Sequence, residues 1–239
     1  MDIPFFFSPD LTQQSKTLLL DEANSKHAVQ VLRMQAGETL QLANGKGVTA
    51  TAIITKADKK KTEVSIQESS YKAQENTRTA VAISLVKNAA RFEWFLEKAT
   101  EVGITEIIPL ICQRTERQLF KKERWEQILV SAMLQSQQAW IPILHEPIAL
   151  KKWLENERLI ASNLYQQRFI AHCLPNEKKE FSASLDKTKD ALILIGPEGD
   201  FTPDEIELAI EKNFLPVALG ETRLRTETAG MVAAVLMRV

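Results

Sequence analysis

The sequence of 239 residues contains only two cysteines, Cys112 and Cys173, and three histidines that lie far apart, His27, His145 and His172. Two cysteines cannot supply a disulfide framework, and such scarcity is typical of a protein kept in a reducing cytoplasm. The spacing of the histidines matches no zinc-ligand pattern. We therefore expect a cytoplasmic protein with neither a disulfide framework nor a metal site.

Long apolar runs are also missing from the sequence. Charged residues or prolines interrupt each apolar stretch well before it reaches the length of a membrane-spanning helix. The apolar start around Phe5, Phe6 and Phe7 lacks the basic segment and the extended apolar segment of a signal peptide. We predict no membrane partner.

A strong net charge is absent as well, since the formal charge is -1 at pH 7. This value argues against a protein that coats nucleic acid by electrostatics alone. The charge is uneven, because residues 76–124 carry nine basic and six acidic side chains, whereas residues 125–239 carry twelve and sixteen. A surface that faces phosphates is therefore expected in the front and middle of the chain, although charged runs are often only solvated faces.

The front of the chain has the pattern of a small β-barrel or sandwich. Apolar and polar residues alternate between about 18 and 68, which is the period of half-buried strands. Asn44-Gly45 predicts a hairpin with a type I′ turn, and one helical piece is expected over Asp21–Arg33. A polar linker at 71–79 then separates a first domain, 1–70, from a second domain, 80–239.

Strands and helices alternate after the linker. The pattern predicts strands over Ala80–Val86 and Ile104–Cys112 and helices over Arg91–Val102 and Lys122–Gln138. Strands that alternate with helices of this length indicate an α/β domain with a parallel sheet.

Glycine is scarce, with eight in the chain, so its positions are informative. Gly196 and Gly199 follow the apolar strand Ala191–Ile195, and the sequence then provides a helix start with Thr202 as N-cap and Glu205 closing a capping box. A strand, a glycine turn and a helix N-terminus commonly form a ligand crevice at the carboxyl edge of a sheet. A tight structural turn before a capped helix is the alternative.

The charge of this loop limits its ligand. Glu198, Asp200, Asp204 and Glu205 surround the glycines, and neither a lysine nor a phosphate-binding glycine fingerprint is present. Nucleotide di- and triphosphates are therefore disfavoured. A cationic or neutral ligand fits better, and the sulfonium S-adenosylmethionine is one such ligand.

A second turn of the same kind follows about 24 residues later, where the strand Leu215–Leu219 leads to Gly220 and then to a small-residue helix over Gly230–Val239. The two turns can lie side by side if their strands are adjacent. Arg225, Glu227 and Thr228 would then form a compact polar group beside the crevice; a salt bridge and a helix cap are their alternative roles.

Several motifs along almost the whole chain resemble those of the RsmE family of 16S rRNA uridine-N3 methyltransferases. They are His27-Ala28-Val29-Gln30-Val31-Leu32-Arg33, Lys98-Ala99-Thr100-Glu101-Val102-Gly103, Ile108-Pro109, Gly196-Pro197-Glu198-Gly199, Leu219-Gly220 and Leu224-Arg225-Thr226-Glu227-Thr228-Ala229.

The resemblance implies a fold and an activity. The second domain would be a SPOUT methyltransferase domain whose C-terminal segment forms a trefoil knot, and the first a PUA-like RNA-binding β-barrel. The protein would be a homodimer that methylates N3 of one uridine, uridine 1498, in the 16S rRNA of the small ribosomal subunit. Its methyl donor would be S-adenosylmethionine.

The resemblance also assigns residues. The expected cofactor-binding residues are Ile195, Gly196, Pro197, Glu198, Gly199, Leu219, Gly220, Leu224 and Thr228. Arg225 would lie near the developing oxyanion of the base, and Glu227 would accept the proton of N3 or orient Arg225. The RNA-binding candidates are His27, Arg33 and Arg114, with Arg117 and the run Lys59–Lys61 as weaker ones. His172 could line the pocket or be a satisfied core histidine.

Some positions depart from the family pattern. Its Glu-Gln-Ser-Gly-Arg stretch is replaced by Leu134-Gln135-Ser136-Gln137-Gln138, Thr222-Arg223 replaces the usual pair before Leu224-Arg225, and Asp200 replaces a glycine. These changes leave the RNA contacts open. The alternatives are a SPOUT enzyme that acts on another RNA site, a non-catalytic RNA-binding protein and a nucleotide-dependent α/β enzyme.

Overall fold

The computed structural model describes residues 3–116, 119–156, 165–175 and 178–239. Two compact units are formed, one by Met1–Gln74 with Val130–Ile141 and the other by Glu75–Leu129 with Pro142–Val239. This division differs from the predicted boundaries, which left 80–239 uninterrupted. Main-chain hydrogen bonds explain the difference, because the Gly47 amide donates to the Ala139 carbonyl at 2.9 Å and the Ile141 amide to the Gly45 carbonyl at 3.1 Å.

The first unit has one five-stranded sheet, in the order β1-β3-β4-β5-β2. Its elements are β1 (Phe5–Phe7), β2 (Thr17–Leu19), helix α1 (Glu22–Lys26), a π-helix (His27–Val31), β3 (Thr39–Ala43), β4 (Val48–Lys56) and β5 (Glu63–Tyr71). The alternating side chains of β4 are buried in the core of this unit, as the period of two predicts. The strands predicted between about 18 and 68 are confirmed, and α1 with the π-helix lies within the helical piece predicted over Asp21–Arg33. Strand β1 was not indicated by the pattern.

The hairpin predicted at Asn44-Gly45 joins β3 to β4, but its turn is not type I′. Gly45 and Gly47 have positive φ angles, and Asn44 does not. Instead, the Asn44 Oδ1 atom accepts hydrogen bonds from the Lys46 amide at 2.8 Å and the Val48 amide at 3.0 Å. The asparagine side chain thus replaces a backbone turn, which is a common use of this residue.

The second unit has an eight-stranded sheet in the order β11-β13-β10-β12-β6-β7-β8, with β9 paired to β7, and its strand pairs are parallel. The strands are β6 (Thr79–Ser84), β7 (Glu106–Ile111), β8 (Ile143–Leu144), β9 (Ile148–Ala149), β10 (Gln167–Ala171), β11 (Lys179–Glu180), β12 (Ala191–Ile195) and β13 (Leu215–Ala218). The predicted α/β fold is confirmed. The two glycine turns are not on adjacent strands, however, because β10 lies between β12 and β13.

The helices are α2 (Ala89–Glu101), α3 (Lys122–Gln135), α4 (Leu150–Glu155), α5 (Phe181–Ser184), α6 (Pro203–Glu211) and α7 (Thr226–Arg238). Helix α6 begins as predicted, with Thr202 as N-cap and the complete capping box to Glu205. Helix α7 begins four residues before the predicted Gly230. The main-chain hydrogen bond from the Ala229 amide to the Arg225 carbonyl, at 2.8 Å, forms its first turn.

Helix α7 packs closely against β6 and α2 at Gly230. A β-carbon at this position would lie 2.6 Å from Ile83 Cδ1 and 2.8 Å from Phe95 Cε2. Only glycine allows the helix to approach these two buried side chains so closely. The contact sets the depth of α7 against the sheet.

No helix in the described part of the chain is long and apolar enough to span a bilayer.

We predict that Gly230→Ala lowers the free energy of unfolding. Glycine-to-alanine changes inside helices normally stabilise by up to about 1 kcal/mol, but overpacking costs about 1–3 kcal/mol. Denaturant unfolding of both proteins measures the difference. The double variant with Ile83→Val, which removes the nearer methyl group, should recover part of the loss; a more stable Gly230→Ala protein would contradict the packing argument.

Candidate functional site

A cavity of about 800 Å³ lies at the carboxyl ends of β10, β12 and β13, beside the first turn of α7. Its volume is in the range of small-molecule sites. The lining residues are Ala171, His172, Cys173, Leu174, Pro175, Lys178, Ile195, Gly196, Pro197, Glu198, Asp200, Val217, Ala218, Leu219, Gly220, Glu221, Thr222, Arg223, Leu224, Arg225, Thr226 and Ala229. The carboxyl edge of a parallel sheet is where such folds usually bind ligands.

The loop after β12 forms one wall of the cavity and is fixed by short contacts. Gly196 and Pro197 are buried, and a β-carbon on Gly196 would lie 3.1 Å from the Phe201 ring. From the other side, the Thr226 hydroxyl donates a hydrogen bond to the Gly196 carbonyl at 3.0 Å. The first turn of α7 is thereby attached to this loop.

The acidic side chains of the loop hold backbone groups. Asp200 takes the left-handed conformation, with φ of 63°. Its two carboxylate oxygens accept hydrogen bonds from the amides of Phe201 and Cys173, each at 2.8 Å. Glu198 Oε1 accepts from the Lys87 amide at 3.2 Å. Asp200 therefore ties the loop after β12 to the segment that follows β10.

Glu205 has a structural role in the same region. Its Oε2 atom accepts from the Thr202 amide at 2.9 Å and completes the capping box of α6. Its Oε1 atom accepts from the Gln113 amide, at 2.8 Å, in the segment that follows β7. This buried carboxylate connects the ends of two elements and does not line the cavity.

The loop after β13 forms the opposite wall. Gly220 has a φ of +108°, a conformation that side chains other than glycine rarely adopt. A β-carbon there would meet no atom within 4 Å, so the requirement for glycine lies in the backbone. The turn brings Leu219 and Leu224 to the cavity together with the exposed Arg225.

The structure brings most of the predicted cofactor residues to the cavity wall. Ile195, Gly196, Pro197, Glu198, Leu219, Gly220 and Leu224 line it. Gly199 and Thr228 are not among the lining residues. Gly199 instead presents its carbonyl to Arg114, and Thr228 is half-buried in the first turns of α7.

The two predicted catalytic residues are placed differently. Arg225 lines the cavity as the N-cap residue of α7. Glu227 is buried and does not line it; its Oε1 atom lies 3.6 Å from Nε of Arg91 at the start of α2. The second oxygen, Oε2, is buried without a hydrogen-bond partner among the residues that the structure describes, which is unusual for a carboxylate.

The predicted RNA-binding residues lie in separate places. Arg114 belongs to the second unit, and its Nη1 atom donates to the Gly199 carbonyl at 2.7 Å, so it supports the loop after β12. In the first unit, His27 contacts the Phe6 ring edge-on at 5.8 Å between centroids. Arg33 is exposed with φ of 58°. Lys59–Lys61 lie in the turn between β4 and β5, and Arg117 lies outside the described residues.

The departures at 134–138 fall in the first unit. Here Gln137 has φ of 55° and the Ser136 hydroxyl donates to the Ala132 carbonyl at 2.7 Å. These residues end helix α3. The RNA-binding roles predicted above stay predictions.

Two contacts of the candidate site could not be predicted from the sequence. Thr226 belongs to one of the family motifs, but its hydrogen bond to Gly196 joins residues 30 positions apart, and no short-range sequence pattern indicates such a contact. The approach of Arg91 to Glu227 also joins distant parts of the sequence, so no short-range pattern indicates it. Within the described residues, no group of three or more metal-ligating side chains is found.

Comparison with known proteins shows two family matches. A model described as an RNA methyltransferase domain matches residues 73–238, and one described as an RNA methyltransferase PUA domain matches residues 20–67. The chain is 29% identical over 237 residues to ribosomal RNA small subunit methyltransferase E of Rickettsia conorii, covering 98% of this chain and 94% of that protein.

Solved structures agree with these matches. A "probable rRNA-methyltransferase" from Porphyromonas gingivalis is 38% identical with a TM-score of 0.86, covering 97% of this chain and 95% of that one. The ribosomal RNA small subunit methyltransferase E of Neisseria gonorrhoeae, solved bound to S-adenosyl methionine, is 27% identical with a TM-score of 0.84, covering 99% and 97% of the two chains.

Proposed function

Because this chain belongs to the RNA methyltransferase family that includes the proteins named ribosomal RNA small subunit methyltransferase E, we propose that it transfers a methyl group from S-adenosylmethionine to small-subunit rRNA. At the finer level, the proposed target is N3 of a uridine in 16S rRNA, uridine 1498. The observation that supports this proposal most is the cavity at the carboxyl edge of the sheet, which gathers seven of the nine expected cofactor residues.

The lining of the cavity provides the chemistry that the proposed cofactor needs. Ile195, Leu219 and Leu224 provide apolar walls for an adenine ring. The carboxylates of Glu198, Asp200 and Glu221 favour the sulfonium and the ammonium, and the cations Lys178, Arg223 and Arg225 suit the carboxylate. The two ring nitrogens of His172, buried in the wall, have no partner among the described residues and can pair with polar groups of a ligand.

S-adenosylmethionine, when bound, supplies the electrophilic methyl group. N3 of uracil is a poor nucleophile until its imide proton leaves, and negative charge then spreads onto the flanking carbonyl oxygens. Arg225, exposed at the mouth of the cavity, is proposed to stabilise that charge with its guanidinium. The N3 atom must be accessible, so the target uridine is unpaired or flipped out.

Glu227 is proposed to accept the proton or to orient an arginine. Its Oε2 atom has no hydrogen-bond partner among the described residues, which leaves an acceptor for the first role. Its position outside the cavity lining and the 3.6 Å approach of Arg91 to its Oε1 atom favour the second. A carboxylate is a weak base for an imide proton. The activity that survives in Glu227→Gln distinguishes the two roles, because glutamine cannot accept the proton but can still accept a hydrogen bond from an arginine. The homodimer, the knot and the cytoplasmic location implied by the family resemblance stay predictions.

The cofactor proposal predicts that the protein binds S-adenosylhomocysteine with one site per chain in calorimetry. Gly220→Val abolishes this binding, because valine cannot adopt a φ of +108° without moving the loop. Gly37→Val is the matched control, since Gly37 also has a positive φ, of 93°, but lies in the first unit. Failure of the wild type to bind, or ATP binding in its place, would contradict the proposal.

The catalytic proposal predicts that Arg225→Ala slows methyl transfer to small-subunit rRNA by about 10²–10³-fold, the usual effect of losing one group that stabilises an oxyanion. Transfer of a labelled methyl group measures the rate. Arg124→Ala, which removes an exposed arginine of α3 paired with Glu93, is expected to keep the wild-type rate. A wild-type rate in Arg225→Ala would remove Arg225 from the mechanism.

The alternative of a non-catalytic RNA-binding protein predicts RNA binding without binding of S-adenosylhomocysteine. An enzyme that acts on another RNA site would bind the cofactor and methylate a different nucleotide. Calorimetry therefore distinguishes the first alternative from the proposed function. Mapping of the methylated nucleotide distinguishes the second alternative from it.

A further inference from the structure

His172 is one of the residues that line the cavity. It directly follows β10, whose last residue, Ala171, pairs with Ile195 of β12 and with Val217 of β13. The imidazole therefore projects from the strand that lies between the two glycine loops. Neither glycine motif of the sequence includes this residue.

The surroundings of His172 are fixed. The Lys178 ammonium donates a hydrogen bond to the His172 carbonyl at 2.9 Å and another to the Leu174 carbonyl. The next amide, that of Cys173, donates to Asp200. These contacts hold the main chain around His172 and do not involve its ring.

The imidazole is buried, with 7% of the residue exposed, and neither Nδ1 nor Nε2 has a hydrogen-bond partner among the described residues. Buried polar groups in folded proteins are almost always paired. Two nitrogens on one ring that no described protein group pairs, in the wall of a cavity, are available to the polar groups of a bound ligand.

The ring is neutral near pH 7. Burial lowers the pKa of His172, the Lys178 ammonium lowers it further, and the Asp200 carboxylate opposes these two effects. A neutral imidazole offers one donor and one acceptor. It also adds no positive charge beside a cationic ligand.

We propose that His172 is a specificity-determining residue that hydrogen-bonds the nucleoside half of the bound cofactor. The nucleoside half is uncharged and carries both donors and acceptors on its ribose hydroxyls and its adenine edge, so it suits a buried neutral imidazole. The ammonium and carboxylate of the amino-acid half are charged and are better matched by charged side chains that line the same cavity, among them Lys178, Glu198 and Arg225. This inference rests on the proposed cofactor.

The test compares His172→Leu with the wild type by calorimetry. Leucine fills a similar volume and removes both nitrogens. S-adenosylhomocysteine and 5′-methylthioadenosine, which keeps the nucleoside and lacks the amino acid, should each bind about tenfold more weakly, the effect of one or two lost hydrogen bonds. Unchanged affinity for either ligand would overturn the inference.

Two control variants sharpen the result. His172→Asn keeps a donor and an acceptor and should bind more tightly than His172→Leu. His145→Ala alters a histidine that pairs with Glu106 at 2.8 Å and does not line the cavity, so its affinity for both ligands should equal that of the wild type.

Thermal unfolding separates a ligand contact from a structural role. Without ligand, His172→Leu should melt at or above the wild-type temperature, because the wild-type ring makes no hydrogen bond to any described protein group. With S-adenosylhomocysteine, the rise in melting temperature should be smaller than in the wild type. A large loss of stability without ligand would instead identify a structural histidine.

Calorimetry with S-inosylhomocysteine, which differs from S-adenosylhomocysteine only at the edge of the base, determines which part of the nucleoside His172 contacts. If His172 contacts the adenine edge, His172→Leu loses the preference for the adenosyl over the inosyl ligand; if it contacts the ribose, both ligands weaken equally. Absence of binding by the wild type would contradict the proposed function itself, whereas wild-type binding that His172→Leu retains would contradict only this inference.

Discussion

The contact of helix α7 with β6 and α2 sets the geometry on which the candidate site depends. Gly230 lets the helix approach Ile83 and Phe95 to distances that no larger residue permits. One helical turn earlier, the Thr226 hydroxyl bonds the Gly196 carbonyl. The depth of the helix thus determines where the loop after β12 lies and where Arg225 enters the cavity.

The polar groups around the cavity divide into two kinds. The carboxylates of Asp200 and Glu205 are occupied by backbone amides that join separate segments of the chain. The Arg114 guanidinium is likewise directed to main-chain carbonyls of the same loop. In contrast, the His172 ring nitrogens and Glu227 Oε2 are buried without partners in the described part of the chain. Unpaired buried groups are costly, and His172 also lines the cavity, so a bound ligand can pair its ring.

Short-range sequence patterns predicted the elements that depend on interactions between residues close together in the sequence. The capping box of Thr202 and Glu205, the glycine turns and the alternation of strands and helices follow from short-range backbone and side-chain preferences. The sequence could not place β10 between β12 and β13, because strand order depends on packing across the sheet. The contacts of residues 139–141 with the β3–β4 loop and the pairing of Arg91 with Glu227 connect distant segments, so no periodicity reports them.

The proposed activity combines the cavity with the family to which the chain belongs. The most direct test is mass mapping of rRNA from cells with and without the gene for this protein. The account predicts that the deletion removes one methyl group from N3 of one uridine in small-subunit rRNA, and that the wild-type gene restores it while Gly220→Val does not. An unchanged methylation map, or a methyl group lost from another nucleotide, would contradict it.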